Sequence, residues 1–209
     1  MNKPLAIIGA SGHGKVVADV AELLGYTVYF YDDEFHKTAF MEHWPVLGNT
    51  NNLIETKHTI NVVVAIGNNE IREQKTDLLK EAGFNFPSLV HPSAIVSKYA
   101  NVGFGSVIFA NAVISAFTKI GSGCIINTGA IVDHDCKVGN FVHISPNSAL
   151  AGGVSIGEKS WIGIGSCIKQ LVHIGENTNI GAGSTVLQNI PDNVTAFGSP
   201  CVVRNINGK

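Results

Sequence analysis

The amino-acid sequence predicts a small α/β domain with a parallel sheet, followed by a parallel β-helix of six-residue repeats. The first observation behind this prediction is that strand-like and helix-like segments alternate over about the first 90 residues. The second is that an aliphatic residue recurs at every sixth position from Val96 to Val186. An α-helix has a period of 3.6 residues and a flat strand a period of two, so neither element explains a period of six.

The N-terminal part contains two strand–turn–helix units. The first consists of the buried strand KPLAIIGA, the glycine-rich turn GASGHGK and the segment VVADVAELLGY, whose apolar residues have helical spacing. The β-branched strand TVYFYDD follows and ends on two aspartates. The second unit consists of INVVVAIG, a GNN turn and the helical stretch EIREQKTDLLKEAG, before the strand-like FPSLVHP. Strands that alternate with helices in this way indicate a parallel sheet.

The remaining sequence repeats every six residues without a slip. The sixteen aliphatic positions are Val96, Val102, Ile108, Ile114, Ile120, Ile126, Val132, Val138, Ile144, Leu150, Ile156, Ile162, Ile168, Ile174, Ile180 and Val186. The residue four positions after each of them is mostly small. A triangular solenoid explains both features, because the aliphatic residue points into a narrow prism and the small residue fits beside a corner. Three units make one coil, so sixteen units make a little over five coils.

Composition argues against several classes of function. The 209 residues are 45% apolar and 14% charged, with a net charge of −2 and no basic run, which argues against binding to nucleic acid or to anionic membranes. No apolar run approaches the roughly 20 residues that span a bilayer, and we expect no signal peptide in MNKPLAIIGA. The four cysteines are far apart and form no CxxC pair. We therefore expect reduced thiols and a cytoplasmic protein.

Polar residues interrupt the repeat at Asp133–His134–Asp135 and at His143. An imidazole can accept a proton near neutral pH, and an adjacent carboxylate fixes its tautomer and makes it a better base. The two aspartates point to opposite sides of a strand, so one of them would be the partner of His134, and the sequence does not choose between them. A zinc site built from the two histidines and an aspartate is an alternative, although the spacing matches no standard motif. A solenoid without catalytic activity is a second alternative.

The glycine-rich turn from Gly9 to Gly14 lies between a strand and a helix, and Asp32 and Asp33 end the next strand. This arrangement suits a pyrophosphate at a helix N-terminus and a ribose near the acidic residues, as in NAD binding. The spacing is not GxGxxG, however, and no hydride-transfer site follows. A nucleotide sugar offers the same pyrophosphate and ribose. A tight turn that only packs the helix on the sheet is the structural alternative.

Along essentially the whole chain, motifs occur in a fixed order: GASGHGKVVADV, YDD, AIGNNEIR, hexapeptides that contain VDHDCKVGNFVHISP, and the ending GAGSTV…NIPDNVTAFGSPCVVR. This order resembles the bacterial sugar acetyltransferases that have an N-terminal Rossmann-like domain and a left-handed β-helix. They include the UDP-4-amino-sugar N-acetyltransferases of the bacillosamine pathway and the sialic acid O-acetyltransferases. The resemblance implies a left-handed solenoid, acetyl-CoA as the donor, and a homotrimer with active sites between neighbouring solenoids.

The resemblance also implies roles for individual residues. His134 would be the general base and Asp135 the acidic residue that raises its basicity. The coenzyme side would consist of His143 at the acetyl group, Gly152 with its backbone N–H facing the thioester carbonyl, and Ile164 and Ala182 along the pantetheine channel. The acceptor side would consist of Ser11, Gly12 and His13 at the diphosphate, Asp32 and Asp33 at the nucleoside, and Gly67 in the next turn.

We therefore predict a Rossmann-like nucleotide-sugar-binding domain at residues 1–92, a left-handed β-helix acetyltransferase domain at 93–190 and a C-terminal tail at 191–209. The predicted activity is acetyl-CoA-dependent N-acetylation, without a metal, of the 4-amino group of a UDP-linked 4-amino-4,6-dideoxy sugar for glycan biosynthesis. The alternatives are O-acetylation of a sugar hydroxyl, as on sialic acid, and a non-catalytic nucleotide-binding scaffold. The sequence does not distinguish UDP from GDP or dTDP.

Overall fold

The computed structural model describes residues 3–34, 40–56 and 60–204. The chain divides into two compact units, Met1–Pro92 and Ser93–Lys209. Within the described ranges, no helix is both long enough and apolar enough to cross a membrane.

In its described residues, the N-terminal unit is an α/β structure with one sheet and three helices. Strands β4, β2, β1 and β5 are parallel neighbours in that order, and β3 pairs antiparallel with β4 at one edge. Because parallel strands end at the same edge of a sheet, the turns after β1, β2 and β5 meet there. The elements are β1 Lys3–Ile8, α1 Gly12–Leu23, β2 Tyr26–Tyr31, β3 Phe40–Met41, β4 Trp44–Gly48, α2 Thr50–Glu55, β5 Asn61–Val64, α3 Asn69–Glu81 and β6 Leu89–Val90.

The three helices begin in different ways. Asn49 caps the start of α2 in a capping box: its side chain accepts the Asn52 N–H, and the Asn52 side chain accepts the Asn49 N–H. The Asn68 side chain accepts the N–H of Ile71 at the start of α3. At α1, the N-cap residue Ser11 makes no side-chain capping bond. The first turn of α1 therefore keeps N–H groups that a bound anion could use.

The C-terminal unit is a left-handed parallel β-helix, as predicted. Each strand pairs in parallel with the strand 18 residues further on, as in the Ile131↔Ala149 register of β13 and β16. The two-residue strands are β7 Ile95–Val96, β8 Asn101–Val102, β9 Val107–Ile108, β10 Val113–Ile114, β11 Lys119–Ile120, β12 Ile125–Ile126, β13 Ile131–Val132, β14 Lys137–Val138, β15 His143–Ile144, β16 Ala149–Leu150, β17 Ser155–Ile156, β18 Trp161–Ile162, β19 Cys167–Ile168, β20 His173–Ile174, β21 Asn179–Ile180 and β22 Thr185–Val186.

These strands form the three faces of a prism. Face I contains β7, β10, β13, β16, β19 and β22, and face II contains β8, β11, β14, β17 and β20. Face III contains β9, β12, β15, β18 and β21, followed by β23 (Thr195–Phe197) and β24 (Val202–Arg204). β23 continues the parallel ladder and β24 returns antiparallel to it. The segment predicted as a tail therefore adds two strands to face III.

The aliphatic ladder fills the interior of the prism. The fourteen ladder residues from Ile108 to Val186 are each at most 4% exposed, and only Val96 and Val102 in the first coil are half-buried. Full burial of such a side chain stabilises the fold by roughly 1.5–3 kcal/mol. The interior that the six-residue period predicts is confirmed.

The small residues beside the corners are buried, and many of them are polar because they bond to the next coil. The Ser160 hydroxyl donates to the Gly175 carbonyl at 2.7 Å and accepts the Thr178 N–H at 2.9 Å. The Ser148 hydroxyl likewise donates to the Gly163 carbonyl at 2.8 Å. A buried hydroxyl is tolerated only when it is hydrogen-bonded, and this ladder of bonds meets that condition.

From the turn after β8 to the turn after β21, each turn between faces contains one residue in the left-handed region. From Gly105 to Gly183, every sixth residue has φ between 49° and 69°. Glycine and asparagine enter this region most easily, and they occupy nine of the fourteen positions. The exceptions are Phe117, Asp135, Phe141, Lys159 and Leu171.

Candidate active site

The predicted catalytic pair lies in the turn between β13 on face I and β14 on face II. Asp135 adopts the left-handed φ of 59°, and the Asp133 carboxylate accepts the backbone N–H of His134 at 2.7 Å. The turn directs both side chains outward, with 60% of His134 and 63% of Asp135 exposed. A substrate can therefore reach the imidazole without any rearrangement of the solenoid.

The structure chooses between the two aspartates that flank His134. His134 Nδ1 lies 2.8 Å from Asp135 Oδ2, whereas Asp133 bonds to the backbone. A carboxylate only accepts, so Nδ1 carries the proton and Nε2 keeps its lone pair. The hydrogen bond to Asp135, assisted by the negative charge of Asp133, raises the pKa of His134 above its ordinary value. The imidazole is thus a stronger base with a defined accepting nitrogen.

Gly152 lies one coil beyond His134 and makes room for the imidazole. A Cβ at position 152 would stand 2.6 Å from both Cε1 and Nε2 of His134. The ring therefore rests directly against the Gly152 backbone, and any side chain there would displace it.

The backbone N–H of Gly152 is available to a ligand. Within the described ranges it has no acceptor, whereas the carbonyl of Gly152 accepts the N–H of Leu171 at 3.0 Å. An N–H in this position, beside the basic nitrogen of His134, can stabilise an oxyanion.

His143 belongs to a second cluster, on face III. Its ring stacks on Trp161 with a centroid distance of 4.7 Å and an interplanar angle of 25°, and His143 is 7% exposed. The Trp161 indole N–H donates to the Ser145 hydroxyl at 2.8 Å, which fixes the plane of the indole. The imidazole is therefore clamped between the solenoid and the indole.

Asn127 determines which nitrogen of His143 accepts a hydrogen bond. Asn127 Oδ1 accepts the N–H of Thr128 at 2.8 Å, so the amide nitrogen faces His143 Nε2 at 3.2 Å. Nε2 then accepts and Nδ1 carries the proton. Thr128, Asn127 and His143 form one chain of bonds, and Asn127 is a residue that the sequence reasoning missed.

One chain does not bring the two clusters together. His134 lies at the corner between faces I and II, and His143 lies on face III. Ile164 and Ala182 are exposed in turns that follow face III strands β18 and β21, 18 residues and one coil apart. Of the predicted coenzyme-side residues, only Gly152 contacts the catalytic pair.

A separate cleft of about 320 Å³ lies at the carboxyl edge of the N-terminal sheet. Four of the six residues predicted on the acceptor side line it: Ser11, Asp32, Asp33 and Gly67. Lys75 and Ile71 line it as well, one helical turn apart on α3. The sequence reasoning missed Lys75. It lies four residues after Ile71 in the helix that follows the AIGNN turn, and residues four apart share a helix face, so this spacing was a signal that could have been used.

The two aspartates of this cleft are held in different ways. Asp32 accepts the N–H of Ala10 at 2.6 Å and so ties the glycine-rich turn to the end of β2. Asp33 accepts the N–H of Thr50 at 2.9 Å and forms an ion pair with Lys75. Partial burial opposes ionisation of Asp33, but the bonds from Lys75 and Thr50 outweigh it and lower the pKa of Asp33.

Gly12 and His13 do not line the cleft. Gly12 has no positive φ, and a Cβ there would have nothing within 4 Å, so the fold does not require glycine at this position. Burial, reinforced by the charge of Arg72, lowers the pKa of His13 to about 4. The imidazole of His13 is therefore neutral at pH 7 and supplies no positive charge to a phosphate.

The described residues contain no group of three or more histidine, cysteine, aspartate or glutamate side chains that could hold a metal ion. The four cysteines are free, with Cys124 and Cys136 buried.

Comparisons with known proteins identify similar sequences and structures. Residues 4–79 match the family model described as the PglD N-terminal domain. A stretch of 103 residues is 40% identical to a UDP-N-acetylbacillosamine N-acetyltransferase of Bacillus subtilis (strain 168); the match covers 47% of this chain and 47% of that protein. The matched region therefore spans about half the length of this curated relative.

Solved structures match over nearly the full chain. The acetyltransferase domain of PglB from Neisseria gonorrhoeae FA1090, in complex with acetyl coenzyme A, is 42% identical with a TM-score of 0.93, over 98% of this chain and 100% of that one. A mutant perosamine N-acetyltransferase from Caulobacter crescentus, in complex with CoA and GDP-perosamine, is 38% identical with a TM-score of 0.93, over 97% of both chains.

Proposed function

Because this chain belongs to the family of sugar N-acetyltransferases that join a PglD N-terminal domain to a left-handed β-helix, we propose that it transfers an acetyl group from acetyl-CoA to the 4-amino group of a UDP-linked 4-amino-4,6-dideoxy sugar. The observation that carries this proposal is the His134–Asp135 pair, whose basic nitrogen lies against Gly152 on a rigid corner.

The chemistry follows from that geometry. A neutral acceptor amine attacks the thioester carbonyl, and His134 Nε2 takes the proton that the amine loses. The negative charge that develops on the carbonyl oxygen is met by the Gly152 N–H. The C–S bond then breaks, and the departing thiolate of coenzyme A takes the proton from the His134 imidazolium, which restores the neutral base. Asp135 holds the imidazolium in place during the transfer.

A homotrimer with sites between neighbouring copies is part of the proposal. His134 and His143 lie on different sides of one prism, so a site that uses both needs His134 from one copy and His143 from another. Four free cysteines support a reducing compartment, and we place the reaction in the cytoplasm.

The N-terminal cleft is the proposed site of the nucleotide. Its open helix N-terminus after Ser11 suits a diphosphate, and the ionised Asp33 suits the N–H of a base or a ribose hydroxyl. A thermal-shift screen with UDP, GDP and dTDP tests this part, because a nucleotide that binds only the folded state raises the melting temperature. A larger shift with GDP or dTDP than with UDP would refute the assignment of UDP.

The catalytic assignment is tested by His134→Ala. Loss of a general base lowers kcat by about 10²–10⁴-fold. Steady-state rates of acetyl transfer to an amino sugar nucleotide measure the effect, and thermal unfolding of the variant controls for damage to the fold. An unchanged rate would refute the role of His134. Faster acetylation of the matched 4-hydroxy compound than of the 4-amino compound would instead favour O-acetylation.

A further inference from the structure

Lys75 is the one cationic side chain among the described residues that line the N-terminal cleft, and it stands against three carboxylates. Those carboxylates belong to Asp32, Asp33 and Glu34. The Lys75 ammonium pairs with Asp33 and lies 3.4 Å from the Thr50 hydroxyl. Its side chain is 24% exposed, so the ion pair forms part of the wall of the cleft. A ligand that enters the cleft therefore meets this pair.

Asp33 is held from two sides and can still accept further hydrogen bonds. One carboxylate oxygen accepts the N–H of Thr50 at 2.9 Å, and the other is bound by the ammonium of Lys75. Partial burial opposes ionisation, but these bonds outweigh it and lower the pKa of Asp33, so the carboxylate is ionised at neutral pH. An ionised carboxylate has about four lone-pair sites, so each oxygen can accept one more bond.

The ammonium of Lys75 also keeps one donor for a ligand. It carries three N–H bonds, and its acceptors among the described residues are the Asp33 carboxylate and the Thr50 hydroxyl. The ion pair therefore offers a ligand a hydrogen-bond acceptor and, directly beside it, a hydrogen-bond donor.

The charges favour a neutral polar part of the ligand at this pair over a phosphate. A phosphate at Lys75 would lie beside the Asp33 carboxylate that shares the same ammonium, and Asp32 and Glu34 add negative charge to the cleft. Four aliphatic side chains also line the cleft: Ile8, Ala65, Ile66 and Ile71. A planar ring with a polar edge suits this combination, and the base of a nucleotide is such a ring.

We propose that Lys75 is a specificity-determining residue of the nucleotide site, which selects a base that carries a ring N–H beside a carbonyl oxygen. Asp33 accepts the ring N–H, and Lys75 donates to the carbonyl oxygen. Uracil, thymine and guanine have this keto edge. Cytosine and adenine have an unprotonated ring nitrogen beside an amino group, which sets a lone pair against the carboxylate and an N–H against the ammonium. The inference rests on the proposed function and adds to it a residue and a chemical class of base.

Two pairs of nucleotides isolate the base, because the members of each pair share the ribose and the diphosphate. The pairs are UDP with CDP and GDP with ADP, and isothermal titration calorimetry gives the Kd of each. We expect wild type to bind the keto base at least about tenfold more tightly in at least one pair. In Lys75→Met, which keeps the aliphatic stem and a good helix former, that ratio should fall at least about fivefold.

Lys80→Met is the matched control, because it removes the same charge from an exposed position of the same helix that does not line the cleft. It should leave both Kd ratios within about twofold of wild type. Lys75→Arg keeps a charged donor and should retain most of the preference. Thermal unfolding of each variant measures any effect on the fold.

Several results would overturn the proposal. Equal weakening of both members of a pair in Lys75→Met would mean that Lys75 attracts the phosphates and does not read the base. A Kd ratio that is the same in Lys75→Met as in wild type would also overturn it. So would a wild-type preference below about threefold in both pairs, or a wild-type protein that binds none of the four nucleotides.

The proposed function fails by a different observation, because calorimetry needs no turnover. A protein that binds UDP with the expected preference but transfers no acetyl group refutes the function, while the role of Lys75 stands. A protein that transfers acetyl groups but binds the paired nucleotides equally refutes the role of Lys75, while the function stands.

Discussion

Gly152→Ala tests whether the position of the His134 ring, rather than its presence alone, sets the rate. The added Cβ would stand 2.6 Å from Cε1 and Nε2, while ordinary contacts begin at 3.4 Å. The ring must therefore move by at least 0.8 Å, the difference between those two distances. A displacement of about 1 Å in a catalytic group can cost about 10²-fold, or about 2.7 kcal/mol in the barrier.

The backbone should tolerate the change. Ala116 occupies the same turn position one coil before His134, and Ala182 occupies it in another turn. The expected result is therefore a loss of about 10²-fold in kcat/KM for the amine acceptor, with a melting temperature close to that of wild type. Gln170→Ala is the matched control, because it changes the same turn position one coil further on and is expected to keep the wild-type rate.

A double-mutant cycle isolates the contact between the two residues. In a His134→Ala background, the methyl group at position 152 has no ring to displace, so Gly152→Ala should reduce the residual rate little further. The reasoning is refuted if Gly152→Ala alone retains the wild-type rate. It is also refuted if the fractional loss is the same in both backgrounds, because the methyl group would then act on the backbone N–H and not on the imidazole.

Three further predictions follow from charges and contacts. Asp135→Asn replaces the charged acceptor that raises the pKa of His134 with a neutral amide. The acid limb of the kcat/KM profile, where the base is lost to protonation, should therefore move to lower pH, and the plateau should fall; an unmoved limb contradicts this. His13 stays neutral in the native state down to its pKa of about 4, whereas in the unfolded chain it takes up a proton near pH 6.5. Between pH 6.5 and 4, the free energy of unfolding of the wild type should therefore fall by about 3 kcal/mol more than that of His13→Gln, as measured by urea unfolding. Parallel pH profiles of the two proteins contradict this. Trp161→Ala should raise the KM of acetyl-CoA, because His143 loses the ring on which it stacks. Trp161→Phe keeps an aromatic ring there, so its KM should stay close to that of wild type. Equal KM values in both variants contradict this.

Much of the solenoid could be predicted because its period leaves little freedom. A six-residue repeat with three units per coil places residues 18 apart one above the other, so the interior ladder follows from counting alone. The contact between His134 and Gly152 follows from the same count, since the two positions differ by 18. The sequence reasoning took Gly152 from the family resemblance and did not use this count.

Other parts of the site depend on side-chain conformation or on contacts far apart in the chain. Asp133 and Asp135 flank His134 equally in sequence, and only the turn geometry assigns one to the backbone and one to the ring. The ion pair between Asp33 and Lys75 joins residues 42 positions apart through the sheet. The buried state of His13 depends on packing around the glycine-rich turn, which a motif of glycines does not specify.

The most informative positions in a repeat are those where the sequence departs from its own rule. Glycine or asparagine occupies nine of the fourteen left-handed turn positions, for a reason that is purely conformational. At the corner that includes Asp135, the chain instead places Phe117 below and Leu171 above the catalytic pair, in exposed and strained positions. Phe117 stacks on Tyr99 at a ring-centroid distance of 5.3 Å, a contact that glycine or asparagine would lose, whereas Leu171 is 79% exposed. Three of the five departures lie at the corner of Asp135, and the other two, Phe141 and Lys159, lie at the corner between faces II and III, so the departures are concentrated at the catalytic corner but are not confined to it.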